Sequence, residues 1–120
     1  MTRYYGDLIV WQKAMELVTK IYHVTREFPK DELFGLVNQI RRAAVSIPSN
    51  IAEGQGRLSA KEFRQFLGNA RGSLAELETQ IKIACNLQYL AESDVQILLE
   101  SASEVGRLLN GLITSCNKKK

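Results

Sequence analysis

The spacing of apolar and polar residues along this 120-residue chain predicts four helices and no strand. In four segments the apolar residues recur every three or four positions, which is the repeat of an amphipathic helix. The strict apolar-polar alternation of a half-buried strand does not occur in the sequence. The predicted helices cover residues 7–27, 31 or 32–53, 59–87 and 93–115.

The first predicted helix carries more apolar residues than one packed face needs. One set comprises Leu8, Trp11, Met15, Val18 and Tyr22, and a second set comprises Val10, Ala14, Leu17, Ile21, Val24 and Phe28. Together the two sets cover about half of the helix circumference, which exceeds the ~100° stripe of a single packed face. Two interpretations are open: the helix is sunk deep in its own bundle, or it also contacts another subunit.

The second predicted helix combines a heptad-like apolar seam with a proline. The seam consists of Leu33, Val37, Ile40, Ala44, Ile47 and Ile51. Pro48 lies inside this helix and predicts a kink, because its ring removes the backbone hydrogen bond to the carbonyl of Ala44. Gly54 and Gly56 follow, and they are predicted to end the helix.

The third and fourth predicted helices each begin with a capping-box pattern, Ser59–Glu62 and Ser93–Gln96. In the third helix, Gly68 and Gly72 lie off the apolar seam. Each glycine costs the helix about 1 kcal/mol relative to alanine. We therefore predict that each allows another segment to approach closely.

Four long helices joined by short turns predict an all-α, antiparallel, up-down-up-down four-helix bundle. The chain length fits one domain with one hydrophobic core. Residues 1–117 are predicted to form this domain, and residues 118–120 are predicted to form a basic C-terminal tail.

Composition limits the setting in which the protein works. No apolar run approaches the ~20 residues of a membrane span, and the N-terminal residues lack the apolar segment of a secretory signal. We therefore expect a cytoplasmic protein. Cys85 and Cys116 both fall at apolar helix positions, where we expect buried thiols without a disulfide or a metal.

The charge is distributed unevenly along the chain. The net charge of +3 equals the contribution of Lys118, Lys119 and Lys120. Between residues 41 and 72, six basic residues face two acids, whereas between residues 73 and 117, two basic residues face six acids. One part of the folded molecule should therefore be electropositive and another part electronegative.

Catalytic chemistry is not expected from this sequence. His23, the single histidine, falls on the polar side of the first helix and has no second histidine or cysteine at metal-ligand spacing. The Glu-x-x-His pairs of a di-iron bundle are absent, and the Gly54–Arg57 turn is too short for a phosphate-binding loop. We expect no enzyme activity, no cofactor and no metal.

Basic residues provide the candidate binding site. The candidates for nucleic-acid contact are Arg41, Arg42, Arg57, Lys61, Arg64 and Arg71. In one interpretation, Arg41, Arg42 and Arg71 form ion pairs with Glu53, Glu76 or Glu78. In the other, the basic residues contact phosphates of RNA or DNA, which gives affinity without sequence discrimination. Arg42, Arg57, Lys61 and Arg64 are expected to be the most available for phosphate.

Asn50 follows Pro48 by two residues and also has two interpretations. Its amide either bridges the backbone defect that the proline creates, or it joins Glu53 and Arg71 in a polar network at a subunit boundary. The sequence leaves this choice open.

Three runs of residues resemble one known family: VWQKAMEL at 10–17, IRRAAVSIPSNIAEG at 40–54 and EFRQFLGNARGSLAELETQI at 62–81. The chain is similar, over about residues 5–112, to bacterial four-helix-bundle proteins encoded in intervening sequences of 23S rRNA genes. That family is similar to the accessory protein of diversity-generating retroelements, a basic bundle that binds reverse transcriptase and nucleic acid. The resemblance implies a ring-like homopentamer and no catalytic role.

The resemblance also marks positions of interest beyond the basic residues. The candidates for a structural or oligomer network are Asn50, Glu53, Gly54, Gly72, Ser73 and Glu76.

Two functions follow as expectations. The first is a non-enzymatic homo-oligomeric module that binds RNA or DNA through a basic surface on the second and third helices, where repetition in a ring makes weak contacts count. The second is a protein-interaction scaffold or assembly factor whose arginines serve subunit contacts. The expected partners are further copies of the chain, RNA or DNA, and another protein, but no membrane.

Overall fold

The computed structural model describes residues 4–118, and four helices occupy most of them. These are α1 (Ile9–Thr25), α2 (Leu36–Gln55), α3 (Ala60–Asn86) and α4 (Glu92–Lys118), with short 3-10 turns at Tyr5–Asp7 and Lys30–Glu32. No strand occurs among these residues. The prediction of an all-α four-helix bundle is confirmed.

The four helices pack in a closed cycle around one core. α2 packs against α1 and α3, and α4 packs against α3 and α1, whereas within the described residues α1 does not pack against α3, nor α2 against α4. The largest fully buried side chains come from all four helices: Leu17, Ile21, Ile40, Ile47, Ile51, Leu67, Leu77, Ile81, Leu98, Val105 and Leu109. The side formed by α1 and α2 is therefore opposite the side formed by α3 and α4.

Contacts between α2 and α3 run in opposite directions along the chain. Ser46 meets Ser73, whereas Gly54, later in α2, meets Phe66, earlier in α3. α2 continues through Pro48, which is buried. The antiparallel order of all four helices and the kink at Pro48 stay predictions.

The start of α2 differs from the predicted start. α2 begins at Leu36 rather than at residue 31 or 32, and Gly35 before it has a non-helical backbone. The reason is the carboxylate of Glu32, whose Oε1 accepts a hydrogen bond from the Leu36 N–H at 3.2 Å. Glu32 therefore caps the helix from outside instead of forming part of its first turn.

The end of α2 also differs, because Gly54 does not stop it. Gly54 is a buried helical residue, and the helix ends at Gln55 with Gly56 as its C-cap. A Cβ atom at Gly54 would lie 2.6 Å from Phe66 Cβ and 3.0 Å from Phe63 Cδ1. Gly54 is thus the residue that allows α2 and α3 to approach closely.

The glycines of α3 do not have the role predicted for them. No atom lies within 4 Å of a Cβ built at Gly68 or Gly72. The prediction that they allow a close approach is wrong among the residues that the structure describes.

One of the two hydrogen bonds of the capping box predicted at Ser59 is confirmed. Ser59 Oγ accepts a hydrogen bond from the Glu62 N–H at 3.1 Å and donates to Glu62 Oε1 at 3.2 Å. The box predicted at Ser93 is wrong, because α4 already begins at Glu92 and Ser93 lies inside its first turn. α4 also continues to Lys118 rather than ending at Ser115, and Lys119 and Lys120 lie outside the described residues.

α1 buries one of its two apolar sets and leaves the other partly exposed. Val10, Ala14, Leu17, Ile21 and Phe28 are buried, and Val24 is half-buried. In the other set, Met15 and Tyr22 are 41% and 40% exposed. A single chain therefore does not cover both sets, and contact of α1 with another subunit stays a prediction.

Aromatic and polar contacts hold together the end of the bundle where α1 ends and α4 begins. Tyr89 Oη donates a hydrogen bond to Glu32 Oε2 at 2.8 Å, and the Tyr89 ring lies 5.4 Å from the Phe28 ring. The hydrogen bond to Glu32 raises the pKa of the Tyr89 hydroxyl above its usual value. These contacts bring the α1–α2 connection beside the α3–α4 connection.

Candidate nucleic-acid interface

Five of the six candidate basic residues lie in two separate grooves rather than on one surface. Arg41 and Arg42 line a groove of about 590 Å³ between α1 and α2, which we call the α1–α2 groove. Lys61, Arg64 and Arg71 line a groove of about 450 Å³ along α3, bordered by Ile113 of α4, which we call the basic groove. Because the two grooves are on opposite sides of the helix cycle, the single basic surface predicted on the second and third helices is not formed.

Arg41 holds α2 to the end of α1. Its Nε donates a hydrogen bond to Thr25 Oγ1 at 2.8 Å, and its Nη2 donates to the Tyr22 carbonyl at 3.4 Å. Its guanidinium carbon lies 4.5 Å from the centre of the Tyr22 ring. Thr25 is buried and in turn donates to the Ile21 carbonyl at 2.7 Å. These contacts give Arg41 a structural role and make it a poor candidate for phosphate binding.

We expect Arg41→Ala to lower the free energy of unfolding by about 2 kcal/mol, because it removes two hydrogen bonds and a cation–π contact. The control variant Lys82→Ala, at an exposed helical position outside the α1–α2 groove, should change the free energy by less than about 0.5 kcal/mol. Urea unfolding followed by circular dichroism measures both changes. Equal effects of the two variants would show that Arg41 does not hold α1 and α2 together.

Arg42 is exposed, and it makes no hydrogen bond or ion pair with any residue between 4 and 118. Around it lie apolar side chains that are also exposed: Phe34 to 91% and Leu33 to 49%. Arg42 thus combines an unpaired charge with an apolar surface, and it is separated from the basic residues of α3.

Arg57 forms the one ion pair found among the six candidates within the described range. Its Nη2 lies 2.8 Å from Glu53 Oε2, and its guanidinium carbon lies 4.8 Å from the centre of the Phe66 ring. Both charged side chains are more than a third exposed, so the pair contributes about 0.5 kcal/mol or less. A phosphate could compete with Glu53 for Arg57 at little cost.

The basic groove has no acidic partner within the part of the chain that the structure describes. Lys61 and Arg64 make no hydrogen bond or ion pair there, and Arg71 Nη1 donates to the neutral amide oxygen of Asn110 at 3.0 Å. The ion pairs predicted for Arg41, Arg42 and Arg71 with Glu53, Glu76 or Glu78 are therefore not formed within these residues. The positive charge of the groove remains uncompensated.

Asn50 connects to Ser46 and, through it, to α3. Its Nδ2 donates to the Ser46 carbonyl at 2.8 Å and to Ser46 Oγ at 2.9 Å. Ser46 Oγ and Ser73 Oγ are 2.8 Å apart and share a hydrogen bond. The Asn50 amide therefore binds the carbonyl of Ser46. It does not bind the carbonyl of Ala44, which lacks its helical donor because Pro48 has no N–H.

The other network candidates have separate partners. Glu53 pairs with Arg57, Arg71 binds Asn110, and Glu76 Oε2 accepts from Gln80 Nε2 at 3.3 Å. Asn50, Glu53 and Arg71 consequently do not form a network with one another within residues 4–118. The spacing of apolar residues could not have identified Asn110 as the partner of Arg71, because α3 and α4 come together only in the packed bundle.

The remaining candidate chemistry is sparse. His23 is exposed, and Cys85 and Cys116 are half-buried and form no disulfide, so the expectation of full burial for the cysteines is wrong. Residues 4–118 contain no group of three or more metal-ligating His, Cys, Asp or Glu side chains. None of the helices built by these residues has both the length and the apolar character needed to cross a membrane.

A closed cycle of four helices with an uncompensated basic groove defines a small all-α bundle protein. A model of the 23S rRNA-intervening sequence protein family matches residues 6–111, and the chain belongs to this family. The crystal structure of a protein of unknown function from the S23 ribosomal protein family of Bacteroides thetaiotaomicron has a TM-score of 0.82 and 23% sequence identity. The match covers 88% of this chain and 98% of that chain, and at this identity it shows the fold alone. No curated protein matches the chain.

Proposed function

We propose that the chain is a non-enzymatic, cytoplasmic, homo-oligomeric module that binds RNA through the basic groove. The main observation behind this proposal is that Lys61, Arg64 and Arg71 line one groove that has no acidic residue in its lining. Lysine and arginine contacts to phosphate supply affinity that does not depend on sequence. RNA is the proposed form of nucleic acid because the family is described by its connection with 23S rRNA.

The dimensions of the basic groove suit a nucleic-acid strand. At 1.5 Å of rise per residue, Lys61 and Arg71 are about 15 Å apart along the axis of α3, which is enough for several successive phosphates. Gly68 lies between them, and the space over it is open. A phosphate backbone can therefore approach the helix closely at this point.

Further positive charge lies at the same end of the bundle. A neighbouring groove is lined by Arg57 and Ser59 at the start of α3 and by Ser115 and Cys116 near the end of α4. Arg57 would thus extend the contact made by the basic groove.

The test is a charge reversal in the basic groove. Lys61→Glu/Arg64→Glu should weaken binding of a labelled single-stranded RNA of mixed sequence about 10- to 100-fold at low salt. Fluorescence anisotropy measures the affinity. The matched control is Arg26→Glu/Lys82→Glu, which changes the charge equally at exposed positions near the opposite end.

The control variant should bind within about threefold of the unmodified protein, because it keeps the groove. Equal losses of RNA affinity in the two double variants would show that the effect depends on net charge alone. The basic groove would then not be the binding site. If the unmodified protein does not bind RNA at low salt, the proposed function is wrong.

Self-association is supported by a different observation, the exposed apolar surface around Arg42. This surface favours the alternative in which some arginines serve subunit contacts, and we assign that role to Arg42. The ring of five copies that the resemblance implies belongs to this proposal. The native particle should then have a mass well above the 13.5 kDa of one chain.

A further inference from the structure

We infer that copies of the chain join head to tail, with the α1–α2 groove of one copy binding an acidic groove between α3 and α4 of the next. The acidic groove, of about 520 Å³, is lined by Cys85, Glu92, Val95, Leu99 and Glu100 among others. The inference rests on the proposed self-association and names the two surfaces that make it.

The α1–α2 groove presents apolar side chains and positive charge. Tyr22 and Val45 are each 40% exposed, and Phe34 is 91% exposed. Arg41 and Arg42 are the charged residues in its lining, which includes no acid. A large aromatic side chain left in water beside an unpaired arginine is typical of a protein contact surface.

The acidic groove is the counterpart in both size and charge. Val95 and Leu99 form its apolar part and are half-buried in the single chain. Glu92 and Glu100 are exposed at its edge, and no basic residue lines it. Its two negative charges match the two positive charges of the α1–α2 groove.

Charge decides between pairing like grooves and pairing unlike grooves. Two α1–α2 grooves placed face to face would bring four arginines together, and two acidic grooves would bring four glutamates together. Like charges at an interface oppose association, whereas opposite charges favour it and set the register. The interface is therefore heterologous, with different surfaces on its two sides.

The positions of the two grooves determine how successive copies are arranged. Both grooves lie toward the end of the bundle that the Tyr89 contacts to Glu32 and Phe28 hold together. They are on opposite sides of the helix cycle. Joining one to the other places the copies side by side with their ends aligned, and such a contact either closes into a ring or grows further.

This arrangement brings all the basic grooves to one rim of the assembly. Lys61 and Arg64 lie near the start of α3, at the end away from Tyr89. Every copy therefore presents its basic groove at the same level. A single RNA strand could contact several grooves in turn, which raises its affinity through effective concentration.

The test uses two charge reversals, Arg42→Glu and Glu100→Arg, each at an exposed position. Each variant alone opposes its own interface, because it places like charges across the contact. The double variant Arg42→Glu/Glu100→Arg carries both changes in one chain. In each contact between its copies, the glutamate introduced in one groove faces the arginine introduced in the other. Every contact is therefore again between opposite charges, whatever the number of copies.

Size-exclusion chromatography with light scattering measures the particle mass, and circular dichroism verifies the helices. The expected result is a particle near 13.5 kDa for each single variant and recovery of larger particles for the double variant. The control Lys61→Glu/Arg64→Glu lies outside both grooves and should keep the mass of the unmodified protein. If either reversal alone leaves the mass unchanged, or the double variant stays at the single-chain mass, the head-to-tail pairing is wrong.

These outcomes are separable from the proposed function. An unmodified protein that is a single chain would overturn self-association together with this interface. Larger particles that neither reversal affects would overturn the interface alone. RNA binding is measured independently, because the basic groove belongs entirely to one chain.

Discussion

Replacing Gly54 with valine is expected to lower the free energy of unfolding by about 3 kcal/mol, at the upper end of the range for overpacked cores. Even the first added carbon would lie 2.6 Å from Phe66 Cβ. Phe66 Cβ is attached directly to the backbone of α3 and cannot rotate away. The two helices would have to separate, which would also strain the hydrogen bond between Ser46 and Ser73.

The matched controls are glycines of the adjacent helix. Gly68→Ala and Gly72→Ala meet no atom within 4 Å, so each should raise the free energy of unfolding by about 0.5–1 kcal/mol through improved helix propensity. Urea unfolding at constant protein concentration measures all three variants. If Gly54→Val were as stable as the unmodified protein, the close approach of α2 and α3 at Gly54 would be wrong.

The affinity for an RNA too short to reach a second basic groove is expected to fall about 50-fold between 50 and 200 mM monovalent salt. Single strands give a slope of about −0.7 in log affinity against log salt for each phosphate neutralised. Contact by Arg57, Lys61, Arg64 and Arg71 of one chain would give a slope of about −2.8. The same titration on several unrelated sequences should give similar slopes, since phosphate contacts do not read bases.

The slope itself identifies which residues contact phosphate. Lys61→Gln and Arg64→Gln should each reduce its magnitude by about 0.7. Arg26→Gln, which neutralises an exposed arginine outside the basic groove, should leave it unchanged. A slope near zero for the unmodified protein would mean that phosphate contacts do not drive binding.

Local signals predicted the helices well, and non-local contacts explain where they failed. The N-cap at Ser59 depends on residues three apart, and its hydrogen bond from the Glu62 N–H is present in the structure. The start of α2 depends on the Glu32 carboxylate, which also accepts a hydrogen bond from Tyr89 across the bundle. A helix-periodic pattern cannot show that Glu32 is used in this way, so the predicted helix began too early.

The same difference between local signals and non-local contacts applies to the candidate site. The sequence identified the six basic residues, because their charge is visible in composition and spacing. It placed them on one surface, because α2 and α3 are neighbours. In the structure Arg41 turns toward Tyr22 and Thr25 of α1, whereas Arg71 turns toward Asn110 of α4. The rotation of each helix about its axis separated them.

The sequence by itself determined the four helices, the apolar seams that meet in the core, and the excess of positive charge between residues 41 and 72. These properties follow from residue type and short-range spacing. Only the tertiary structure decided that Gly54 and not Gly68 lies at a helix contact, and that the basic residues divide between two sides. The reason is physical: contact between helices depends on how each one is rotated and which neighbour it meets, and both are settled when the whole core packs.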